Sequence, residues 1–343
     1  MIKSSKKTEE KNALKNTKVA VSSSITDESE QKIRPNKIDE MIGRKKEKET
    51  IKMMIESAKQ RDEVIDHILF YGPPGLGKTT FALAIANEVG SSIRITSGPA
   101  IERQGDLAAI LTNLKKNDVL FIDEIHRLSR VVEEILYPAM EDRALDIVMG
   151  KGASAKTIRL SLEPFTLIGA TTQIGKISSP MRDRFGLIQR LDFFEDEDMI
   201  EILRRASKLW NIEIEEGALK VVSMGSRGTA RVGLRLLRRV RDYAQNSKSK
   251  IISEDIVYKT MTLLGIDDMG LERIDREILR VMFFNFEGGP VGLSTLAASI
   301  SEDISTIMEV HEPFLMKCGL IKRTSRGRVL TPKGIKYVEK IWQ

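Results

Sequence analysis

Residues 67–90 have the sequence HILFYGPPGLGKTTFALAIANEVG, in which an apolar strand, a glycine-rich loop and an apolar helix follow one another. The loop, GPPGLGKT at residues 72–79, satisfies the pattern G-x-x-x-x-G-K-[ST]. A bare match can be accidental, but a strand before the loop and a helix after it are the context that a phosphate-binding loop requires. The stretch therefore predicts an α/β nucleotide-binding domain.

Each residue type in this loop suits one part of a nucleoside triphosphate. Gly75 and Gly77 let backbone N–H groups curl around phosphates. Lys78 can reach the β- and γ-phosphates, and the Thr79 hydroxyl can ligate Mg²⁺. The loop therefore predicts a bound triphosphate together with Mg²⁺.

A second apolar strand, in VLFIDEIH at residues 119–126, ends in the acids Asp123 and Glu124. Behind a phosphate loop, this pair predicts that Asp123 holds the water shell of the metal and that Glu124 orients and polarises the attacking water. His126 either relays the nucleotide state or simply packs. Packing is favoured, because a lone histidine rarely proves catalytic.

Short apolar strands alternate with amphipathic helices, in HILFYG, SSIRITSG, DVLFIDE and PFTLIGATT. This alternation predicts a parallel sheet with helices on both faces. We expect this large domain at residues 33–194, since strand-like periodicity stops near Phe194. Residues 195–266 carry helical patterns and predict a separate helical domain. Residues 1–32 are rich in Lys, Ser and Glu and predict a disordered tail.

Composition limits the compartment and the partners. The 343 residues include 55 Lys and Arg against 49 Asp and Glu, a net charge of +6 that favours a polyanionic partner, although scattered lysines would give the same total. The one cysteine, Cys318, cannot form an internal disulfide, which favours a reducing cytoplasm. The sequence has neither an apolar run of about eighteen residues nor a signal-peptide pattern, so we expect a cytoplasmic protein without a membrane segment.

The strand FTLIGATT ends in Thr171 and Thr172, whose hydroxyls can reach a γ-phosphate or the water beside Glu124. Before this strand, two alternating apolar segments flank a Gly/Ala/Ser/Lys turn and predict an inserted β-hairpin at about residues 145–163. The hairpin is either an ordinary edge hairpin or, if its apolar side chains point outward, a protein-docking arm. Those side chains are Ile147, Val148 and Ile158.

Two segments offer arginines to a phosphoryl-transfer site. Arg182 and Arg184 lie in SPMRDRFG, and a short helix there points away from the chain's own phosphate loop, so a neighbouring subunit is the plausible target. Arg231, at the start of a later helix, could fold over the nucleotide of its own chain. The alternative for Arg182 is a surface ion pair with Asp183.

Residues 267–343 predict three helices followed by a strand pair with a Gly-containing tip, which is the pattern of a winged helix. Such domains bind either DNA or proteins. Arginines clustered on the wing favour contacts with DNA phosphates, which give affinity without sequence specificity. These arginines are Arg323, Arg326 and Arg328, with Lys322 beside them.

From about Ile33 to the C-terminus, the motifs GPPGLGKTT, LFIDEIHRL, IGATT, SPMRDRFG, RLLRRVRDYA and GGPVGL together resemble the RuvB family of AAA+ motors. Their combination is far more specific than any single motif. The resemblance implies an ATPase with Mg²⁺ that drives branch migration of Holliday junctions in recombination and repair. It further implies a homohexamer on double-stranded DNA at four-way junctions, with RuvA docked on the hairpin and RuvC as a further partner.

The resemblance also implies roles for individual residues. Thr79 would ligate Mg²⁺, Thr172 would be the first sensor, Arg231 the second sensor, and Arg184 the arginine finger acting in trans. The other implied ATP contacts are Gly75, Gly77, Lys78 and Thr80 in the loop, Ile33, Arg34 and Phe194 on the adenine side, and Glu141, Asp142 and Arg143 in one turn.

The chain departs from the family pattern at Ala230, where a proline is usual, and at Phe194, where a tyrosine is common. Neither change touches the catalytic residues. Two other functions stay open from the residues. One is a clamp-loader-like or initiator-like AAA+ switch acting on a DNA-bound protein. The other is a winged-helix transcription regulator whose ATPase gates DNA affinity.

Overall fold

The computed structural model describes residues 33–149 and 156–342. The large domain is built around strands that are buried along nearly their whole length, because helices cover both faces of the sheet. Its helices and strands are α1 (Lys45–Arg61), β1 (Ile68–Tyr71), α2 (Lys78–Val89), β2 (Ile93–Ser97), α3 (Gln104–Leu111), β3 (Val119–Asp123), α4 (Arg130–Glu141), β4 (Ala144–Met149), β5 (Lys156–Ser161), β6 (Thr166–Thr171), α5 (Ser179–Arg182) and β7 (Leu187–Arg190).

Five parallel strands form one sheet in the order β2-β3-β6-β1-β7. In this order β6 lies between β1 and β3, so that Ile168 is in register with Ile68 on one side and Phe121 on the other. The expected α/β fold is confirmed. The edge strand β7, which pairs with β1, was not identified from the sequence.

Strands β4 and β5 form a separate antiparallel hairpin in which Leu145 lies opposite Leu160. Leu145 is fully buried, whereas Ile158 and Leu160 are among the exposed large apolar side chains. Ile147 and Val148, which were expected to point outward, lie outside the side chains that the structure describes.

The helical domain follows the sheet directly, and one hydrophobic core runs from a face of the sheet into it. Its helices are α6 (Asp196–Leu209), α7 (Glu216–Gly225), α8 (Ala230–Asn246) and α9 (Glu254–Leu263). In α8 the buried Leu236, Val240 and Ala244 recur every four residues, and charged residues occupy the other face. Continuous apolar packing therefore holds this domain against the sheet.

The last domain has its own hydrophobic core and the helix and hairpin order of a winged helix, as expected. Its elements are α10 (Arg273–Phe284), α11 (Leu293–Ile300), α12 (Ile304–Thr306), a π-helical turn (Ile307–His311), α13 (Glu312–Lys317), β8 (Ile321–Thr324), β9 (Gly327–Leu330) and α14 (Pro332–Trp342). Helix α14, which buries Val338, was not expected from the sequence. No helix in the described ranges is both long and apolar enough to span a membrane.

Candidate functional site

The sheet order brings three sequence motifs to one edge. The phosphate loop follows β1, the acids end β3, and Thr172 follows β6, which lies between those two strands. Ligands of open parallel sheets bind at this carboxyl edge. Thr172 is therefore placed between the phosphate loop and the acid pair by strand order alone.

The phosphate loop has the backbone that only glycine adopts readily. Gly75 has φ of 81° and Gly77 has φ of 92°, immediately before α2. The first N–H groups of α2 have no partner inside the helix, which suits them to phosphate oxygens. The Lys78 Nζ donates to the carbonyl oxygens of Gly72 and Pro73, at 2.8 and 2.9 Å. Burial lowers the pKa of Lys78 to about 8, although the carboxylates of Asp123 and Glu124 oppose the shift.

The acid pair has two distinct environments. Asp123 continues β3, and its Oδ1 accepts a hydrogen bond from the N–H of Glu124 at 3.0 Å. Glu124 has a left-handed backbone with φ of 48°, which turns the chain out of the strand. Burial and the adjacent Asp123 carboxylate raise the pKa of Glu124, and Glu309 adds to the shift. A raised pKa brings a carboxylate closer to the range of an effective general base.

The hydroxyl of Thr172 lies 3.3 Å from Glu124 Oε2 and 3.0 Å from Glu309 Oε2. Next to it, the Thr171 hydroxyl lies 2.8 Å from His126 Nδ1, which is 3.2 Å from Glu124 Oε2. His126 therefore has one polar partner directly after β3, Glu124, and another at the end of β6, Thr171. The sequence favoured simple packing for it and gave no signal for Glu309.

A cavity of about 530 Å³ lies between the phosphate loop, the acid pair and the helical domain. This volume is in the range of sites that hold small ligands and cofactors. Of the expected nucleotide contacts, its lining contains Ile33, Arg34, Gly75, Gly77, Lys78, Thr79, Thr80, Asp123, Glu124, Phe194 and Arg231. Thr79 and Asp123 supply the hydroxyl and carboxylate oxygens that Mg²⁺ prefers alongside phosphate oxygens, so the donor set fits MgATP.

Arg44, which was not identified from the sequence, contacts two of the residues that line the cavity, Leu76 and Phe194. The Arg44 guanidinium lies 4.4 Å from the ring centroid of Phe194 and donates to the carbonyl oxygen of Asp192 at 2.7 Å. A weaker bond of 3.3 Å joins it to the carbonyl of Leu76 in the phosphate loop. Arg44 therefore links the loop to the joint between the two domains. Its position in a basic run, IGRKKEK, gave no hint of this role.

Arg231 is the second residue of α8, and its Cβ lies 3.0 Å from where a Cβ on Gly75 would stand. The helical domain thus approaches the phosphate loop at this residue. Ala230 is the first residue of the same helix, a position where proline is tolerated because its missing N–H has no helical partner anyway. With alanine here, the helix begins at this residue, after Thr229 as its N-cap.

Arg184 lies outside the set of residues that line the cavity of its own chain. Its guanidinium donates to Glu141 Oε2 at 2.8 Å and to the carbonyl oxygen of Pro180 at 2.7 Å, and it lies 4.7 Å from the ring centroid of Tyr137. The structure thus brings Arg184 together with the end of α4, where the turn Glu141–Arg143 begins, rather than with the phosphate loop.

The other two residues of that turn are also engaged away from the cavity. Asp142 pairs with Arg159 of the hairpin at 2.6 Å. Arg143 donates to the carbonyl oxygen of Phe165 at 2.7 Å and lies 5.1 Å from the centroid of that ring. Neither residue lines the cavity of its own chain.

The sequence predicted that Arg323, Arg326 and Arg328 contact DNA phosphates, and in the structure two of these three are paired with a carboxylate. Arg323 and Arg328 both donate to Glu312, whose side chain is only 1% exposed. Burial would raise the pKa of Glu312, but the hydrogen bonds from the two guanidiniums outweigh it and lower the pKa. A buried carboxylate needs such partners, which is the physical reason for this pairing. Arg326 is exposed at the hairpin tip.

Comparison with known proteins finds relatives along the described chain. Three family models match consecutive segments. They are the Holliday junction DNA helicase RuvB P-loop domain at residues 33–191, the RuvB AAA lid domain at 194–267 and the RuvB C-terminal winged helix domain at 268–339. A curated relative, the Holliday junction branch migration complex subunit RuvB of Dehalococcoides mccartyi (strain CBDB1), is 54% identical over 309 residues. The match covers 90% of this chain and 88% of the relative.

Solved structures of RuvB proteins also match most of this chain. The Thermotoga maritima RuvB Holliday junction branch migration motor is 47% identical, with a TM-score of 0.82 over 90% of this chain and 98% of that chain. A Thermotoga maritima RuvB mutant is 48% identical, with a TM-score of 0.83 over 90% of this chain and 99% of that chain.

Proposed function

The chain belongs to the RuvB family, and from that membership we propose that it is an ATP-driven motor of Holliday junction branch migration. The observation that supports an active motor most strongly is the cavity in which the phosphate loop, the acid pair and the second-sensor arginine meet. The parts that phosphoryl transfer needs from one chain are therefore present together.

Within one subunit, the loop N–H groups and Lys78 hold the phosphates, and Thr79 and Asp123 hold Mg²⁺. When bound, this ion offsets the negative charge on the phosphate oxygens. Glu124 orients the attacking water, and its raised pKa suits it to accept a proton. Thr172 donates a hydrogen bond to the γ-phosphate. Hydrolysis then tilts the helical domain through Arg231.

Arg184 completes the site of a neighbouring subunit. It stands with Glu141 outside its own cavity, which is the arrangement expected of a finger that acts in trans. Each site then requires two subunits, so that hydrolysis depends on a ring. We propose a homohexamer, in which Glu141, Asp142 and Arg143 lie near the neighbour's nucleotide.

The winged helix and the hairpin supply the contacts with partners. Arg326, exposed at the wing tip, contacts backbone phosphates of double-stranded DNA, which requires no particular sequence. The exposed Ile158 and Leu160 offer an apolar surface on the hairpin for RuvA. RuvC joins the same assembly as the nuclease, and all of them work in the cytoplasm.

A synthetic four-way junction with RuvA and MgATP tests this function. The purified protein should separate the junction arms, and a Lys78→Ala variant should not. Intact ATPase activity without separation of the arms would contradict the proposal. Sequence-specific DNA binding would point instead to a regulator, and stable loading of a DNA-bound protein would point to a loader-like switch.

A further inference from the structure

One side chain of the winged-helix domain reaches the catalytic edge of the sheet. Glu309, in the π-helical turn, accepts a hydrogen bond from the Thr172 hydroxyl at 3.0 Å through Oε2. Its other oxygen, Oε1, accepts from the Gln173 side-chain amide. Both oxygens of this carboxylate are therefore held by donors that follow β6.

A hydroxyl has one proton to donate. In the structure, the Thr172 hydroxyl lies within hydrogen-bond distance of both Glu309 and Glu124. A γ-phosphate bound at a sensor threonine requires the same proton. It would also place its negative charge next to the Glu309 carboxylate. Triphosphate binding and the Glu309 contact therefore compete for one donor.

The same turn is tied to the helical domain. The Val310 carbonyl oxygen accepts from Arg227 at 3.2 Å, and His311 Nδ1 lies 2.7 Å from Asp275 Oδ1. Arg227, four residues before Arg231, pairs with Asp275 through both terminal nitrogens, at 2.9 and 3.1 Å. Arg227, Asp275 and His311 are all buried. Glu309 is therefore one residue away from a partly buried contact, between Arg227 and Val310, that joins the winged helix to the helical domain.

We propose that Glu309 is a residue of the nucleotide site supplied by the winged-helix domain, and that it distinguishes triphosphate from diphosphate. It accepts the hydrogen bond from Thr172 that the proposed sensor role gives to a γ-phosphate, so the docked winged helix and a bound γ-phosphate exclude each other. ADP, which has no γ-phosphate, is compatible with the docked state. This inference rests on the proposed ATPase, because only there does Thr172 meet a γ-phosphate.

Equilibrium binding of MgATPγS and MgADP to Glu309→Gln tests the proposal. Glutamine keeps the size of the side chain and one acceptor but removes the charge. We expect the Kd for MgATPγS to fall about fivefold or more, at the lower end of usual coupling factors, and the Kd for MgADP to change less than about twofold. Glu287→Gln removes the same charge from an exposed residue of the same domain and should leave both constants unchanged.

An equal effect of Glu309→Gln on both nucleotides, or no effect on either, would overturn the proposal. The Kd values for MgATPγS and MgADP can be measured without branch migration. If the protein fails to separate the junction arms but Glu309→Gln still changes the two Kd values as expected, only the proposed motor function is contradicted.

Hydrogen exchange on the unmodified protein gives a second test that no folding defect can disturb. Residues 304–312 should exchange faster with MgATPγS than with MgADP, because the docked turn is released. Equal protection of this segment with the two nucleotides would contradict the exclusion.

Discussion

Arg184 donates a hydrogen bond to Glu141 at 2.8 Å, and neither residue is among those that line the cavity of its own chain. The proposed finger is thus held on one face of the large domain, away from the phosphate loop of its own chain. The Glu141 side chain is 63% exposed, so this ion pair contributes little to stability, and we expect it to orient the arginine.

Arg184→Ala should lower kcat about 10³-fold or more with little change in nucleotide affinity, because the arginine acts on charge that develops in the transition state. Glu141→Gln should lower kcat less than about tenfold, as expected for the loss of an exposed pair. Steady-state ATPase assays on assembled protein separate the two. An equal decrease in kcat for both variants would show that Glu141 does more than orient Arg184.

Nucleotide affinity should fall as the pH rises above 8. Lys78 has a pKa of about 8 before phosphates bind, and phosphates favour its charged form, so binding above this pH requires proton uptake. Calorimetry in buffers with different ionisation enthalpies measures that uptake. A Lys78→Arg variant stays charged and should lack this pH dependence. A constant affinity of the unmodified protein from pH 7 to about 9.5 would contradict the lowered pKa.

His67 should make the protein less stable in mild acid. Burial, and then the Arg143 guanidinium, lower the pKa of His67 to about 4. The unfolded chain binds the proton near pH 6.5 and the folded chain does not, so the stability present above pH 6.5 is lost as the pH falls towards 4. The loss reaches about 3 kcal/mol.

Urea unfolding at several pH values checks this prediction. His67→Asn keeps an acceptor for the Leu167 N–H, which lies 2.8 Å from His67 Nδ1. At pH 7.5 the variant should have a lower free energy of unfolding than the unmodified protein. Below pH 6.5, however, this free energy should fall less steeply with pH in the variant. If the free energy of unfolding falls equally steeply with pH in both proteins, groups other than His67 control the loss of stability in acid.

Arg326→Ala should weaken binding to duplex DNA about tenfold, lower the slope of log K against log salt by about one unit and leave thermal stability unchanged. Arg328→Ala should instead destabilise the winged helix by about 1–3 kcal/mol, because it leaves the buried Glu312 with one guanidinium fewer. Salt titrations and thermal unfolding separate these effects. A lower melting temperature for Arg326→Ala would refute its assignment to the surface.

The local motifs were predictable because their chemistry lies within a few consecutive residues. The phosphate loop from Gly72 to Thr79 and the acids after β3 needed only a strand beside them. The position of Thr172 between them depends on β6 inserting between β1 and β3, and strand order is not encoded in any local pattern.

Contacts between distant segments were missed for the same reason. Glu309 is 137 residues from Thr172, and Arg44 is 148 residues from Asp192. The pairing of Arg323 and Arg328 with Glu312 was hidden because a buried carboxylate and an exposed one look alike in sequence. Strand β7 was missed because its four residues alternate in burial at a sheet edge and give little apolar signal.

If each site is completed by Arg184 of the adjacent subunit, Lys78→Ala and Arg184→Ala subunits, each inactive alone, should regain ATPase activity when mixed. With random mixing of equal amounts, roughly a quarter of the interfaces would pair an intact Lys78 with a neighbour's intact Arg184. We therefore expect partial recovery in verified mixed rings. No recovery in such rings would contradict this expectation and would mean that Arg184 acts within its own chain or not at all.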